Sequence, residues 1–194
     1  MHSNGRQAKQ LHFHSQSIKK MRQFGGSLLK QSNAKTARPL STKHAMHVVL
    51  RSSRAKGEWS LRSLKNQKTV EKITRNLAKK YGIKIYEYAN VGNHLHLLIK
   101  LGNRFTFAPF IRSLSGSIAL KVTGSNKLKA LKEKFWDFRP WTRILEWKKA
   151  YSIAKDYVIQ NHLEAIGCIS YKSRDDRKHY QRRRPSLNYQ EAPA

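Results

Sequence analysis

Two histidines separated by one residue, His94 and His96, lie in the run Asn93-His94-Leu95-His96-Leu97-Leu98-Ile99-Lys100. Side chains alternate across a β-strand, so a strand here turns both imidazoles to one face and Leu95, Leu97 and Ile99 to the other, into a core. Two neutral imidazoles on one edge are half of a metal site. They suit Zn, Mn, Fe or Ni, and Mg or Mn become acceptable when oxygen ligands complete the shell. The plain alternative is a pair of half-buried histidines that hydrogen-bond to their neighbours.

A second group lies about sixty residues further on. Trp147, Tyr151, Ala154 and Val158 recur at helical spacing and predict a buried stripe on a helix over 147–166, closed by Gly167. Tyr157 and Asn161 are four apart and share a flank of that helix. If the helix lies along the histidine face of the sheet, Asn161 adds an oxygen to the two imidazoles and Tyr157 stands one turn away. A phenol with a pKa near ~10 is a poor nucleophile at neutral pH. It becomes a useful one beside a cation, against a phosphodiester whose charge a metal neutralises. The bland reading makes Tyr157 a core-edge aromatic and Asn161 a surface amide.

The rest of the chain must bring a phosphate to these residues, and its charge is suited to that. Forty Lys and Arg face eleven Asp and Glu among 194 residues, a formal charge of +29 with a pI near 10.7. The natural partner of such a field is a large polyanion, nucleic acid or an anionic membrane. The membrane is disfavoured because no apolar run approaches the ~20 residues that span a bilayer. Met1 to Gln10 is basic and polar with no apolar stretch behind it, unlike a signal peptide. The single cysteine, Cys168, excludes an intramolecular disulfide and a cysteine zinc cluster, and reads as a reducing, cytoplasmic setting.

The length fits one domain with tails. Residues 1–38 read as a flexible arm: Met1 to Lys43 holds nine Lys or Arg and no acid, and such a stretch cannot bury enough apolar surface to fold alone. Its one apolar knot, Phe24 to Leu29, is expected to dock on the domain. The domain proper is 39–168. His44 to Arg51 alternates Ala45, His47 and Val49 against Met46, Val48 and Leu50, as a first core strand would. Val70, Ile73, Leu77 and Tyr81 predict a helix over 66–81. Ile83 to Ala89 returns to period two, with Ile83, Ile85 and Glu87 on one side and Lys84, Tyr86 and Tyr88 on the other. Asn90 to Asn93 is a hairpin turn into the histidine strand. A second helix follows over 104–122, marked by Phe107, Ile111, Leu114 and Ile118, and Phe135 to Leu145 reads as the last strand.

That order, strand-helix-strand-strand-helix-strand, predicts an α+β, ferredoxin-like antiparallel sheet with helices on one face and the other face left to work. A C-terminal helix carrying Tyr157 follows it, and 169–194 forms a basic tail with seven Lys or Arg to three acids between Ser170 and Ala194. Arg51 and Arg54 around the first loop, with Arg139 and Arg143 among the aromatics of the last strand, are candidate DNA contacts. Trp136 and Trp141 could stack bases, although more of that stretch reads as core.

His94-Leu95-His96, a later Tyr157-x-x-x-Asn161 helix and the ferredoxin-like order together resemble the single-tyrosine HUH transposases, the IS200-like family. The resemblance is greatest to the branch called REP-associated tyrosine transposases. Asp156 to Asn161 followed by Glu164-Ala165-Ile166-Gly167 resembles that family's closing helix, and Arg38-Pro39 before His47-Val48-Val49-Leu50-Arg51 resembles its opening. The resemblance implies that His94, His96 and Asn161 ligate a divalent Mg or Mn. It implies that Tyr157 attacks a DNA phosphodiester to form a 5′-phosphotyrosine, on single-stranded DNA flanked by hairpins, in a bacterial cytoplasm, as monomer or homodimer. Family members often carry Asn-Pro where this chain has Asn161-His162, so the helix is free to continue and His162 competes as third ligand. Tyr151 reads as core, and Tyr171 and Tyr180 lie beyond the helix. Two other classes fit the composition: a non-catalytic nucleic-acid-binding module, and a metal-dependent nuclease that uses water in place of Tyr157.

Overall fold

The computed structural model describes residues 22–29, 36–126 and 128–171. Most of the arm and nearly all of the basic tail, Tyr180 included, lie outside the described residues. Among the described residues five strands and three α-helices are laid out as β1 (Gln23–Phe24), β2 (Ala45–Arg51), α1 (Gln67–Lys80), β3 (Ile83–Asn90), β4 (His94–Leu101), α2 (Phe107–Thr123), β5 (Trp141–Leu145) and α3 (Lys149–Ala165). The sheet order is β1-β5-β2-β4-β3, with every pairing antiparallel. From β2 onward this is the expected ferredoxin-like arrangement. The apolar knot docks as expected: Gln23 and Phe24 pair with Arg143 and Thr142, so the sheet begins inside the stretch read as an arm.

Alternation in β2 and β4 divides the sheet cleanly. Met46, Val48, Leu50, Leu95, Leu97, Ile99 and Leu101 point into a core with Val70 and Ala78 of α1 and Phe107, Phe110, Leu114, Ile118 and Val122 of α2. Each such fully buried Leu, Ile or Phe contributes about 1.5–3 kcal/mol. This side is the structural one. The opposite face carries His47, Val49, Arg51, His94, His96 and Leu98, and α3 lies on part of it, mainly against β3 and also against β4 and β5. Ala154 and Val158 of α3 pack there on Ala89, Leu98 and Leu145.

Three expectations are corrected. A bulge between Ile85 and Glu87 inserts Tyr86 as an extra residue, since Ile85 pairs with Ile99 and Glu87 with Leu98. One inserted residue reverses the parity of everything after it. Tyr88 therefore joins Ile83 and Ile85 in the main core, while Tyr86 and Ala89 pack under α3 and Glu87 reaches Lys155 at 3.6 Å. The last strand is shorter than predicted: 135–140 is a series of bends, and only Trp141–Leu145 pairs. Trp136 there is a core residue whose Nε1 donates to the Ser115 carbonyl at 2.9 Å. Trp147 precedes α3 and is 37% exposed, so the buried stripe of that helix runs through Ala154, Val158 and Asn161.

Arg38 fastens the edge of the sheet. Its Nη1 donates to the Pro140 carbonyl at 2.8 Å and to Thr142 Oγ1 at 2.7 Å, and the guanidinium lies over the rings of Phe24 and Phe107. Burial, with Arg139 nearby, lowers its pKa to about 10. Gly25, at φ 83°, completes the join, because a side-chain carbon there would collide with the Pro140 carbonyl. Arg38→Met removes two charge-assisted hydrogen bonds and is expected to cost about 2 kcal/mol, read as a lower urea midpoint at unchanged slope.

Candidate active site

The hairpin turn sets the histidine strand. Asn90 Nδ2 donates to the Leu61 carbonyl at 2.7 Å while its Oδ1 accepts from Gly92 N at 3.1 Å, and Ser52 N donates to the Asn93 carbonyl at 2.9 Å. Held this way, β4 enters the sheet with His94 opposite Arg51 and His96 opposite Val49. Asn93 Oδ1 meets His94 Nδ1 in a short contact. The two imidazoles stand 4.7 Å apart between centroids, edge to face.

Tyr157 arrives from α3 on the same face. Its ring lies 5.5 Å from that of His96 and 6.1 Å from that of His47, both in edge contacts. A cleft of about 1240 Å³ opens between α3, the sheet and the Gly26–Leu28 segment, and it is lined by His94, His96 and Tyr157. Arg51, Arg139 and Arg143 line it too, with Lys148 and Lys149 at the start of α3. Of the four arginines singled out in the sequence, Arg54 alone is not part of the lining and pairs with Glu133 at 2.6 Å. Arg51 also approaches Asp137, at 3.7 Å. Trp141, exposed in part, sits on the cleft wall opposite Val49.

Asn161 is not among the lining residues. It is 5% exposed, one turn beyond Tyr157, and its Nδ2 donates to the Tyr157 carbonyl at 2.6 Å. His162 faces outward and is exposed, on a helix that continues to Ala165. Tyr151 packs with Tyr86 and Trp147, and Tyr171 is 76% exposed. Among the described residues no group of three or more His, Cys, Asp or Glu side chains is gathered for a metal ion. No helix among them is long and apolar enough to cross a membrane.

One residue escaped sequence reasoning. His47, read only as one side of the alternation in β2 and as part of the opening that resembles the family, is 6% exposed and places Nε2 3.0 Å from His96 Nδ1. Burial, and secondarily the nearby Arg143 guanidinium, lower its pKa to about 4. The signal was its parity: His47 shares the face of His96 once β2 and β4 are neighbours, which ferredoxin-like order requires.

Lys148, at the head of α3, has φ 70° and ψ −125° without being glycine. Such backbone costs an L-residue of order 1–3 kcal/mol. Lys148→Gly is therefore expected to raise stability by about 1 kcal/mol, net of glycine's larger entropy loss, and the melting temperature by about 2–4 °C in a thermal scan.

A ferredoxin-like α+β domain whose working face gathers imidazoles, a helix-borne tyrosine and arginines into one cleft is the class that fold and site define. The chain belongs to the family of IS200-like transposases: the family described as "Transposase IS200 like" matches residues 41–161, more than half of the chain. By family it is a transposase. Its fold is similar to that of a solved REP-associated tyrosine transposase bound to a REP hairpin, with 14% identity and a TM-score of 0.54 over 68% of this chain and 74% of that one. A candidate transposase from Deinococcus radiodurans R1 is 16% identical over 66% of this chain and 98% of that one, at a TM-score of 0.41. No curated protein matches the sequence.

Proposed function

We propose that this transposase cleaves and rejoins single-stranded DNA through a covalent 5′-phosphotyrosine on Tyr157. The observation that carries the proposal is the meeting of Tyr157 with His96 and His94 in one arginine-lined cleft, from two elements about sixty residues apart in sequence. In the forward step the Tyr157 oxygen attacks phosphorus and loses its proton. A Tyr157 O–P bond forms, the bond from phosphorus to the 3′-oxygen breaks, and that oxygen leaves as a 3′-hydroxyl. A 3′-hydroxyl attacking the phosphotyrosine reverses the exchange, with no nucleotide cofactor, because bond energy is kept in the ester.

The ion we propose is divalent, Mg or Mn, since two imidazoles on one edge of the cleft suit such a cation when oxygen ligands complete the shell. His94 and His96 would supply two imidazoles, and Asn161, one turn beyond Tyr157 and outside the cleft lining, would be the third donor through its carbonyl oxygen, its Nδ2 being engaged with the helix backbone. The burial of Asn161 beside the outward exposure of His162 favours the amide over the imidazole in that role. Such an ion, when bound, neutralises phosphate charge and makes the phosphorus electrophilic. Arg139 and Arg143 hold the backbone of the strand on either side of the cut, and Trp141 offers a ring on which a base stacks. Substrates with hairpins are the first to try, since the REP-associated relative was solved on one.

The decisive experiment mixes the full chain with labelled single-stranded DNA containing hairpins from beside its gene, adds Mn, and looks for a denaturant-resistant protein-DNA band. Such a band supports the proposal. Cleavage without a band points to water as the nucleophile, and tight binding with neither leaves a binding module. In salt titrations of the same DNA, Arg139→Ala and Arg143→Ala are each expected to reduce the log-log slope by about 0.7, and Arg54→Ala to leave it unchanged.

A further inference from the structure

His47 reaches the histidine pair from the neighbouring strand. The ladder pairs His47 with Leu98 and Val49 with His96, so His47 and His96 are diagonal neighbours on the open face. Their rings stack with centroids 5.3 Å apart, and His47 Nε2 lies 3.0 Å from His96 Nδ1. Both side chains are buried, at 6% and 3% exposure, and Trp141 closes His47 edge-on from β5 at 5.4 Å. The contact is thus made inside the protein, where a hydrogen bond is not traded against water.

Two facing imidazole nitrogens share a single proton, and its position decides what His96 can do. On His96 Nδ1, it leaves the His96 lone pair on Nε2, the nitrogen at the far side of the ring. On His47 Nε2, it obliges His96 to carry its own proton at Nε2, and that nitrogen then has no electron pair for a cation. We propose that His47 is a positioning residue, accepting the Nδ1 hydrogen of His96 and so holding the ring and tautomer in which His96 Nε2 binds a divalent cation. The inference rests on the reading of His96 as a ligand. His94 has an equivalent acceptor at its own Nδ1, the Asn93 side-chain oxygen. Each imidazole of the pair is therefore oriented from Nδ1, one by an amide of the turn and the other by a buried imidazole from the next strand. Outer partners of this kind fix the tautomer of ligating histidines, and losing one costs about 10–100-fold in metal affinity.

Two measurements on the full chain test this. Imidazole nitrogen NMR of the chelator-treated protein is expected to find His96 protonated on Nδ1, and on Nε2 in His47→Phe, which keeps a ring but offers no acceptor. Mn titration, followed by the electron spin resonance of the unbound ion, is expected to show about 10–100-fold weaker binding in His47→Phe. His47→Gln, whose amide oxygen can accept the same hydrogen, should restore most of it. Should His96 of the wild-type protein carry its proton on Nε2, the inference is overturned. It is overturned equally if His47→Phe binds Mn as the wild type does, or if His47→Gln binds as weakly as His47→Phe. If the His96 proton moves from Nδ1 to Nε2 in His47→Phe but no Mn binding is lost in His94→Ala with His96→Ala, the ligand reading falls, while His47 is still shown to set the tautomer.

Discussion

Tyr157→Phe is expected to abolish the covalent protein-DNA adduct and to lower strand cleavage by at least about 10³-fold, while binding of the same DNA changes by less than about twofold. The substitution removes one hydroxyl and nothing else. The ring keeps its edge contacts with His47 and His96, and Val158 beside it keeps α3 on the sheet, so the cleft retains its shape. A loss this large with binding intact marks a group in the chemical step, and loss of the adduct with it identifies that group as the nucleophile. A water-using nuclease predicts the opposite, near-normal cleavage in Tyr157→Phe and no adduct in either protein. Denaturing gels for adduct and product, alongside a binding isotherm, separate the two.

The second large effect concerns the imidazoles. His94→Phe with His96→Phe is expected to lower cleavage by about 10³-fold, and a chelator to do the same to the wild-type protein. Added Mn should restore the wild type and not the variant. Phenylalanine suits the test because it keeps a ring in the space of the buried His96 and offers a cation no donor, whereas alanine leaves a gap. A chelator that leaves cleavage untouched would exclude a divalent ion from the reaction, whatever the variant does. Loss in the variant without loss on chelation would make the two histidines proton carriers or phosphate contacts.

Much of the site was legible in the chain because it depends on short periods. Two residues two apart on a strand share a face wherever that strand lies, and two residues four apart on a helix share a flank. His94 with His96, and Tyr157 on its helix, needed nothing more. The element order gave the sheet, since a strand-helix-strand-strand-helix-strand chain has few ways to pair. Prediction failed where one residue changes a period or where order ends without a polar signal. Tyr86 is inserted in β3 and reverses the faces of Glu87 and Tyr88, and no residue type nearby announces a bulge. The bends at 135–140 carry the aromatics of a strand but spend them on packing, as Trp136 does against α2.

The sequence by itself determined the strand and helix that hold His94, His96 and Tyr157, the ferredoxin-like order, and a charge suited to a polyanion, because local periodicity and composition are properties of the chain alone. Only the tertiary structure decided which of these residues meet. Sheet order brings β2 beside β4, and that adjacency puts His47 against His96. Packing of α3 over β3 and β4 turns Tyr157 into the cleft and buries Asn161, while the same cleft takes in Arg139 and Arg143 and leaves Arg54 to Glu133. Contacts between residues far apart in sequence are set by how the layers stack, and no single segment encodes them.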